Sequence, residues 1–353
     1  MLYYLYSLGG INIFHYITFR GIVAFFISFI FTIIAMPFFI RWASNRSATQ
    51  PIYELAPENH KKKSKTPTMG GVVFVTGALI GILLTAKLHN FYIMVTLLTI
   101  LIFSGIGMVD DYGKIKGGKN HDGLSPRAKF ILQWGGGILI GLILYFHGFN
   151  TALYIPFYKY PVLDLGILAP LFWGFVIVGF SNAVNLTDGL DGLATVPSIF
   201  ALFSLAILLY VSGNAVFSKY LFFPFEKGVG EVVIVALAFI GSLLGFLWYN
   251  ANPAEVFMGD SGSLTLGAII GLFGIFTKSE ILLGLIGFIF VMETMSVMIQ
   301  VGSYKTRKKR VFRMAPIHHH FEIVGWKENK ITIRFWILAL MANILALLTL
   351  KLR

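Results

Sequence analysis

Long apolar segments separated by short polar loops dominate the chain. A helix needs roughly 20 apolar residues to span the hydrocarbon core of a bilayer. By that measure the sequence predicts ten spanning helices, over residues 20–42, 70–88, 91–109, 129–148, 166–184, 194–212, 230–249, 262–277, 280–302 and 332–351. The loops between them are too short to hold a soluble domain. We therefore expect an all-α, polytopic integral membrane protein of about ten transmembrane helices in a single domain, residues 1–353.

Lys and Arg residues are divided unequally between the two sets of loops that ten spans create. Seventeen fall in one set and four in the opposite set. In membrane proteins the loops richer in Lys and Arg face the cytoplasm. The sequence therefore predicts that both termini are periplasmic and that five loops form a cytoplasmic face: 44–69, 110–128, 185–193, 250–261 and 304–330.

The composition fits a lipid environment. Hydrophobic residues make up 57% of the chain and charged residues only 12%, whereas a soluble domain carries about 25% charged residues. A net charge of +12 would suggest nucleic-acid binding in a soluble protein. Here the basic residues cluster in short loops between apolar segments, which fits membrane topology and anionic ligands better. We expect no nucleic-acid partner, and the absence of cysteine excludes disulfides and thiolate chemistry.

Aspartates recur in the predicted cytoplasmic loops, and they are candidates for a Mg²⁺ site. Asp110 and Asp111 directly follow an apolar segment, where carboxylates are costly unless a cation or donor meets them. Mg²⁺ binds carboxylate oxygens and commonly shares them with phosphates, and a neighbouring carboxylate can act as a base. Simpler explanations of these residues stay open. Asp110 and Asp111 could lie in a solvated loop, and Asp260 and the motif formed by Asn185, Asp188 and Asp191 could cap the N-termini of the helices that follow.

Basic residues and histidines lie in the same loops. Lysines are point-charge phosphate binders, although topology alone also explains their positions. His318, His319 and His320 are poorly suited to hold one metal ion, because neighbouring side chains diverge. Phosphate binding or proton exchange near neutral pH suits them better. Glu293 lies inside a predicted span, which makes it a functional candidate, but no partner is evident from the sequence.

Several familiar motifs are absent from the sequence. It contains no P-loop, no GxSxG, no HExxH and no GxGxxG opening a strand–helix unit. This disfavours ATP-driven transport and serine hydrolysis. A secondary transporter is a competing interpretation, which would require ionisable groups near the centres of spans and inverted repeats. Only Glu293 is clearly central, and no internal repeat is evident.

Taken together, the motifs resemble those of the phospho-N-acetylmuramoyl-pentapeptide transferase family. They are TPTMGG at 66–71, DD at 110–111, NLTDGLDGLA at 185–194, FMGDSGSL at 257–264 and MAPIHHHFE at 314–322. The motifs are spread in order over most of the chain, and jointly they are specific. The sequence departs from the family at one position: Lys65 stands where the family often has Gly. This difference affects the geometry of the loop before the TPTMGG motif.

The resemblance implies a transferase in the bacterial inner (cytoplasmic) membrane, with its active site facing the cytoplasm. Such an enzyme transfers phospho-MurNAc-pentapeptide from UDP-MurNAc-pentapeptide to undecaprenyl phosphate, giving lipid I and UMP in the first membrane step of peptidoglycan synthesis. The alternative is a sibling transferase that moves another UDP-sugar phosphate, such as N-acetylglucosamine phosphate. The APIHHHFE segment is similar to the muramoyl-pentapeptide branch. Family members are often dimers, so the resemblance also implies a homodimer within membrane lipid.

The resemblance also implies roles for individual residues. Asp260 resembles the family's Mg²⁺-binding aspartate, and Asp110 and Asp111 resemble the pair that activates the lipid phosphate and lies near the metal. The predicted catalytic residues are Asp110, Asp111, Asp260, His318, His319 and His320. The residues predicted to bind substrate are Lys63, Thr68, Lys114, Lys129, Asn185, Asp188, Asp191, Asn250 and Phe257, the last by stacking on uracil. We expect direct attack by the lipid phosphate with Asp110 as base; a covalent aspartyl intermediate is the alternative.

Overall fold

Helices make up nearly all of the regular structure in the part of the chain that the computed structural model describes, residues 2–46, 66–117 and 123–351. The α-helices are α1 (Leu2–Gly9), α2 (Ile17–Asn45), α3 (Gly70–Thr85), α4 (Phe91–Gly117), α5 (Pro126–Phe146), α6 (Ala169–Thr187), α7 (Thr195–Ser212), α8 (Ala215–Leu221), α9 (Val233–Asn250), α10 (Asp260–Phe276), α11 (Leu283–Ile286), α12 (Phe288–Arg307), α13 (Ile317–Val324) and α14 (Glu328–Leu348). Short 3₁₀ helices cover Asn12–His15, Gly166–Leu168 and Val229–Val232. One antiparallel hairpin pairs β1 (Ala152–Leu153) with β2 (Leu163–Asp164).

Each of the ten predicted spans coincides with helical structure, and the all-α, polytopic architecture is confirmed. Within the described ranges, seven helical segments are long and apolar enough to cross a membrane, and α3 and α10 are shorter apolar helices. The total of about ten spans and the periplasmic termini stay predictions. The span predicted at 280–302 is divided at Gly287 into α11 and α12. A Cβ at position 287 would lie 2.5 Å from the Phe180 ring. A side chain at the junction of α11 and α12 would therefore collide with that ring, which favours glycine there.

Helix α10 lies at the centre of the bundle, and every one of its residues is buried. It packs against α4 and α6. A Cβ at Gly267 would lie 2.2 Å from the carbonyl oxygen of Phe180, and one at Gly271 would lie 3.0 Å from Ile177 Cα. Small residues of this kind let helix backbones approach closely in lipid, where packing drives association. The glycines that make the 262–277 segment less apolar therefore allow α10, which begins with Asp260, to occupy the centre.

A buried ion pair joins α2, α3 and the start of α9 at the end of the bundle away from Asp260. Arg20 is 1% exposed and pairs with Glu231, in the 3₁₀ helix that precedes α9. Arg20 also donates to the carbonyl oxygen of Thr85 at 3.1 Å, and the Lys87 amide donates to Glu231 at 2.8 Å. Buried charges are tolerated only when they are paired and hydrogen-bonded. These contacts satisfy both charges and fix the ends of the helices.

Helical structure extends further into the predicted loops than the sequence indicated. Helix α4 continues to Gly117, past its predicted end at residue 109, so the Asp110–Asp111 pair lies on a helix. An i,i+4 ion pair between Lys114 and Asp110 supports this extension. The short helices α8 and α13 lie within the predicted loops 213–229 and 304–330. A search for segments of about 20 apolar residues does not detect helices of this length.

Candidate active site

Asp111 caps the N-terminus of α10. Its Oδ1 accepts a hydrogen bond from the Asp260 amide at 3.0 Å, and its Oδ2 accepts one from the Ser261 amide at 2.9 Å. Both amides belong to the first turn of α10, where N–H groups have no partner within the helix. Gly259 makes the approach possible, because a Cβ there would lie 2.8 Å from Asp111 Oδ2. The first two amides of α10 are therefore occupied by Asp111.

Two lysines lie between the carboxylates of Asp110 and Asp260. Lys114 Nζ is 2.8 Å from Oδ2 of each aspartate. Lys129 Nζ is 3.2 Å from Oδ2 of Asp110 and 2.5 Å from Oδ2 of Asp260. The second oxygen of Asp110 accepts the Leu124 amide at 2.8 Å. The ends of three helices, α4, α5 and α10, thus place two negative and two positive groups at one point.

Asn185 orients the Asp260 carboxylate from the end of α6. Its side-chain amide donates to Asp260 Oδ1 at 2.6 Å and to Ser263 Oγ at 2.8 Å. Ser263 was not among the predicted site residues. Its spacing of three from Asp260, which places both on one face of a helix, was the signal available in the sequence.

Asp188 follows α6 directly and lies beside the same cluster. Removal from water, together with the negative charges of Asp260, Asp111 and Asp191, raises the pKa of its carboxyl to about 8. A backbone hydrogen bond from Gly259 opposes the rise. In the ligand-free protein Asp188 therefore holds its proton at neutral pH, and a nearby cation would favour its ionised form.

The TPTMGG and FMGDSG motifs are joined by backbone hydrogen bonds. The Phe257 amide donates to the Pro67 carbonyl oxygen at 2.8 Å, and the Gly70 amide donates to the Phe257 carbonyl oxygen at 2.9 Å. Thr68 lies between them, 4% exposed, and its hydroxyl has no hydrogen-bond partner among the described residues. Phe257 is partly exposed beside it. This pairing holds the loop before α3 against the start of α10.

Asp191 and Asn250 connect neighbouring loops. Asp191 Oδ2 accepts hydrogen bonds from the Asn252 side chain at 2.9 Å and from the Ala254 amide at 3.0 Å. Asn250 Oδ1 accepts the Gly192 amide at 3.1 Å. Both side chains are 2% exposed. Their contacts hold the loop after α6 against the loop after α9, and their predicted contact with substrate stays a prediction.

The three adjacent histidines point toward different partners. His318 is 1% exposed and faces Glu293, with Nδ1 lying 3.1 Å from Oε1. His319 Nδ1 lies 2.7 Å from a carboxylate oxygen of Glu322. His320 Nδ1 accepts the amide of Arg313 at 3.1 Å. This divergence agrees with the argument against a three-histidine metal site.

The structure brings residues from several predicted loops to one end of the bundle. Asp110, Asp111, Lys114, Lys129, Asn185 and Asp260 are linked by direct hydrogen bonds or ion pairs. Asp111, Asp188 and Asp260 lie on the same side of the molecule and are close enough to influence one another electrostatically. Lys63 lies outside the described residues.

The acidic residues suit a hard divalent cation. The carboxylates of Asp110 and Asp260 contact the ammonium groups of Lys114 and Lys129, and the carboxyl groups of Asp111 and Asp188 lie beside them. Within the described ranges, no group of three or more His, Asp or Glu side chains is arranged to hold one metal ion. Mg²⁺ is commonly bound by one or two carboxylates, with waters and phosphates completing its shell. Asp110 and Asp260 fit that pattern, whereas both oxygens of Asp111 are directed at α10 amides.

Comparisons with known proteins agree with these motifs. Residues 93–278 match the family model described as glycosyl transferase family 4, and residues 63–75 match phospho-N-acetylmuramoyl-pentapeptide-transferase signature 1. The chain is 65% identical to the phospho-N-acetylmuramoyl-pentapeptide-transferase of Nautilia profundicola, over 100% of both chains. It is 60% identical to the enzyme of that name from Aliarcobacter butzleri and 56% identical to that from Campylobacter jejuni, again over 100% of both chains.

Proposed function

The chain belongs to the phospho-N-acetylmuramoyl-pentapeptide-transferase family, and we propose that the aspartate–lysine cluster is its catalytic centre. The enzyme transfers phospho-MurNAc-pentapeptide from UDP-MurNAc-pentapeptide to undecaprenyl phosphate, and it forms lipid I and UMP. The observation that carries the proposed location is the shared contact of Lys114 and Lys129 with the carboxylates of Asp110 and Asp260. Both substrates carry phosphates, and this cluster supplies cations beside acidic groups that suit a metal.

The proposed metal is Mg²⁺, held by Asp260 and Asp110. When bound, Mg²⁺ stabilises negative charge on phosphate oxygens. Lys114 and Lys129 would then be released from the carboxylates to bind the diphosphate, where cations offset the repulsion between two anionic substrates. Asn185 keeps Asp260 oriented through its hydrogen bond to Oδ1.

We propose a one-step transfer in which an oxygen of the lipid phosphate attacks the phosphorus that carries the sugar. A new P–O bond forms, the bond to the bridging oxygen breaks, and UMP leaves with that oxygen. Asp110 faces the lysines and is the proposed base for any proton on the attacking phosphate. Asp111 is held by α10 amides and positions Asp260. Trapping a phospho-sugar adduct on Asp110 or Asp111 would overturn this mechanism in favour of a two-step route.

We propose that the remaining predicted residues line the nucleotide side of a cleft at this end of the bundle. Phe257 is partly exposed and is proposed to stack on uracil, with Thr68 beside it. Lys63 is proposed to approach the nucleotide as well. The multi-pass chain is proposed to lie in the bacterial inner membrane with this cleft facing the cytoplasm, where the soluble nucleotide is available. A homodimer is the proposed assembly.

UMP release tests the proposed substrates. Purified protein would be supplied with undecaprenyl phosphate and either UDP-MurNAc-pentapeptide or UDP-N-acetylglucosamine, each with and without Mg²⁺. We expect UMP only with the pentapeptide substrate and only with the metal present. Release from UDP-N-acetylglucosamine alone would identify a sibling transferase, and activity without a divalent cation would contradict the proposed metal.

A further inference from the structure

Glu293 is an ionisable side chain that the proposed reaction does not explain. It lies on α12, and none of its surface is exposed. A buried carboxylate is costly unless a partner is close. Neither of its oxygens has a well-aligned hydrogen-bond donor, and its ionic contact in the described part of the chain is with His318, whose Nδ1 lies 3.1 Å from Oε1.

His318 is held on its other side by the loop that follows α6. A Cβ at Gly189 would lie 2.3 Å from His318 Nε2 and 2.9 Å from Cε1. The imidazole therefore fills the space that the missing side chain of Gly189 leaves. One ring nitrogen faces the α12 carboxylate, and the other faces the loop that carries Asp188 and Asp191.

We propose that Glu293 is a positioning residue for His318. Its carboxylate, with Oε1 3.1 Å from Nδ1, favours a proton on Nδ1, which selects the tautomer with an unprotonated Nε2 and keeps Nε2 beside the Asp188–Asp191 segment. The group that binds one nitrogen of a histidine decides which nitrogen is left for chemistry. The inference rests on the proposed function, in which His318 belongs to the catalytic residues.

A double-mutant cycle tests the coupling. The variants are Glu293→Gln, which keeps the side-chain shape, His318→Asn, and the two combined. Thr294→Val is the matched control, because in the described structure the Thr294 hydroxyl bonds only to the Phe290 carbonyl oxygen within α12. We expect Glu293→Gln to lower kcat by about 10- to 100-fold with KM for UDP-MurNAc-pentapeptide little changed. The double variant should be no slower than His318→Asn, and the control should match the wild type. Additive losses would overturn the proposal.

The tautomer can also be measured without turnover. In protein labelled with ¹⁵N-histidine, the ring signals of His318 can be assigned as the signals that are absent from the His318→Asn variant. We expect the wild type to show a protonated Nδ1 and an unprotonated Nε2, and Glu293→Gln to shift both signals. Identical His318 ring signals in the wild type and in Glu293→Gln would contradict the proposal. If the wild type released no UMP, the proposed function would fail, whereas this comparison would still test the contact between Glu293 and His318.

Discussion

Asp110 and Asp111 are adjacent in the sequence, but α4 turns their side chains toward different partners. Successive residues of an α-helix point about 100° apart. Asp111 consequently reaches the first amides of α10, whereas Asp110 meets the two lysines that also contact Asp260. The two carboxylates therefore have separable effects. Asp111 affects the stability of α10, whereas Asp110 affects the charge at the aspartate–lysine cluster.

Removing the cap should destabilise the fold. In Asp111→Ala, two amides at the buried start of α10 lose their acceptor. We expect the free energy of unfolding to fall by about 2 kcal/mol, measured by unfolding in detergent. Glu255→Ala removes an exposed carboxylate nearby and should change stability by less than about 0.5 kcal/mol. Equal losses in the two variants would contradict the capping role.

Asp260→Asn should abolish transfer while the protein still folds. The amide keeps the size of the side chain but removes the charge that two lysines share. We expect UMP release to fall by a factor of at least about 10² to 10³, assayed with saturating Mg²⁺. The same change at Asp164, in the hairpin strand β2, should leave the rate unchanged. Full activity of Asp260→Asn would remove this residue from metal binding.

Asp188 should make stability depend on pH. Its pKa is raised from 3.8 to about 8 by burial and by neighbouring negative charge. The folded state therefore binds this proton more tightly than the unfolded state does. The contribution to stability is complete below about pH 4 and is lost as the pH rises toward 8.

This pH dependence is measurable in ligand-free protein. We expect the thermal midpoint of the wild type to fall between pH 5 and pH 8 by more than that of Asp188→Asn, whose amide does not titrate. Comparing the two proteins cancels the groups that they share. Parallel pH profiles would show that Asp188 ionises normally in the folded state.

At the scale of whole elements, glycine positions decide how closely α4 approaches α10. A Cβ at Gly107 would lie 2.4 Å from the Asp260 carbonyl oxygen, whereas a Cβ at Gly105 would have no neighbour within 4 Å in the described part of the chain. Both glycines lie on α4, two residues apart. Gly107 therefore permits α4 and α10 to cross closely at the end that carries the aspartate–lysine cluster, and Gly105 has no such role.

The pair provides a matched test. Gly107→Ala forces backbone atoms apart and should cost about 1–3 kcal/mol of stability, with a loss of UMP release because Asp260 moves. Gly105→Ala should stabilise by about 0.5–1 kcal/mol, since alanine favours a helix over glycine. Unfolding midpoints and initial rates measure both effects. A neutral Gly107→Ala variant would mean that α4 and α10 are not so closely packed.

At the scale of the whole molecule, loops far apart in the sequence meet at one end of the bundle. The excess of Lys and Arg in these loops predicts that this end faces the cytoplasm. Because the chain has no cysteine, single cysteines give labelling without background. This makes the orientation directly testable.

Two exposed positions test the orientation. Lys227 lies in a predicted periplasmic loop and Arg310 lies in a predicted cytoplasmic loop, and both side chains are exposed. In intact spheroplasts, a membrane-impermeant maleimide should label Lys227→Cys fully, and it should label Arg310→Cys only after permeabilisation. The reverse pattern would invert the topology and place the aspartate cluster outside.

The sequence alone determined the lipid environment, the positions of the apolar helices and the identity of the chemical groups. These are local properties, because the length of an apolar segment and the types of residue in a motif can be read without neighbours. The wrong prediction that α4 ends at residue 109 also has a local cause. The helix continues beyond its apolar residues because Lys114 pairs with Asp110.

Tertiary structure alone decided which groups meet. Asp260 contacts Lys114 and Lys129 across 146 and 131 residues of sequence, and Glu293 meets His318 although neither motif indicates the other. Contacts of this kind depend on how the helices cross. The crossings in turn require glycines, and the sequence alone does not show which glycines face the backbone of another helix. For that reason the sequence predicted an acidic site but could not distinguish the role of Asp110 from that of Asp111.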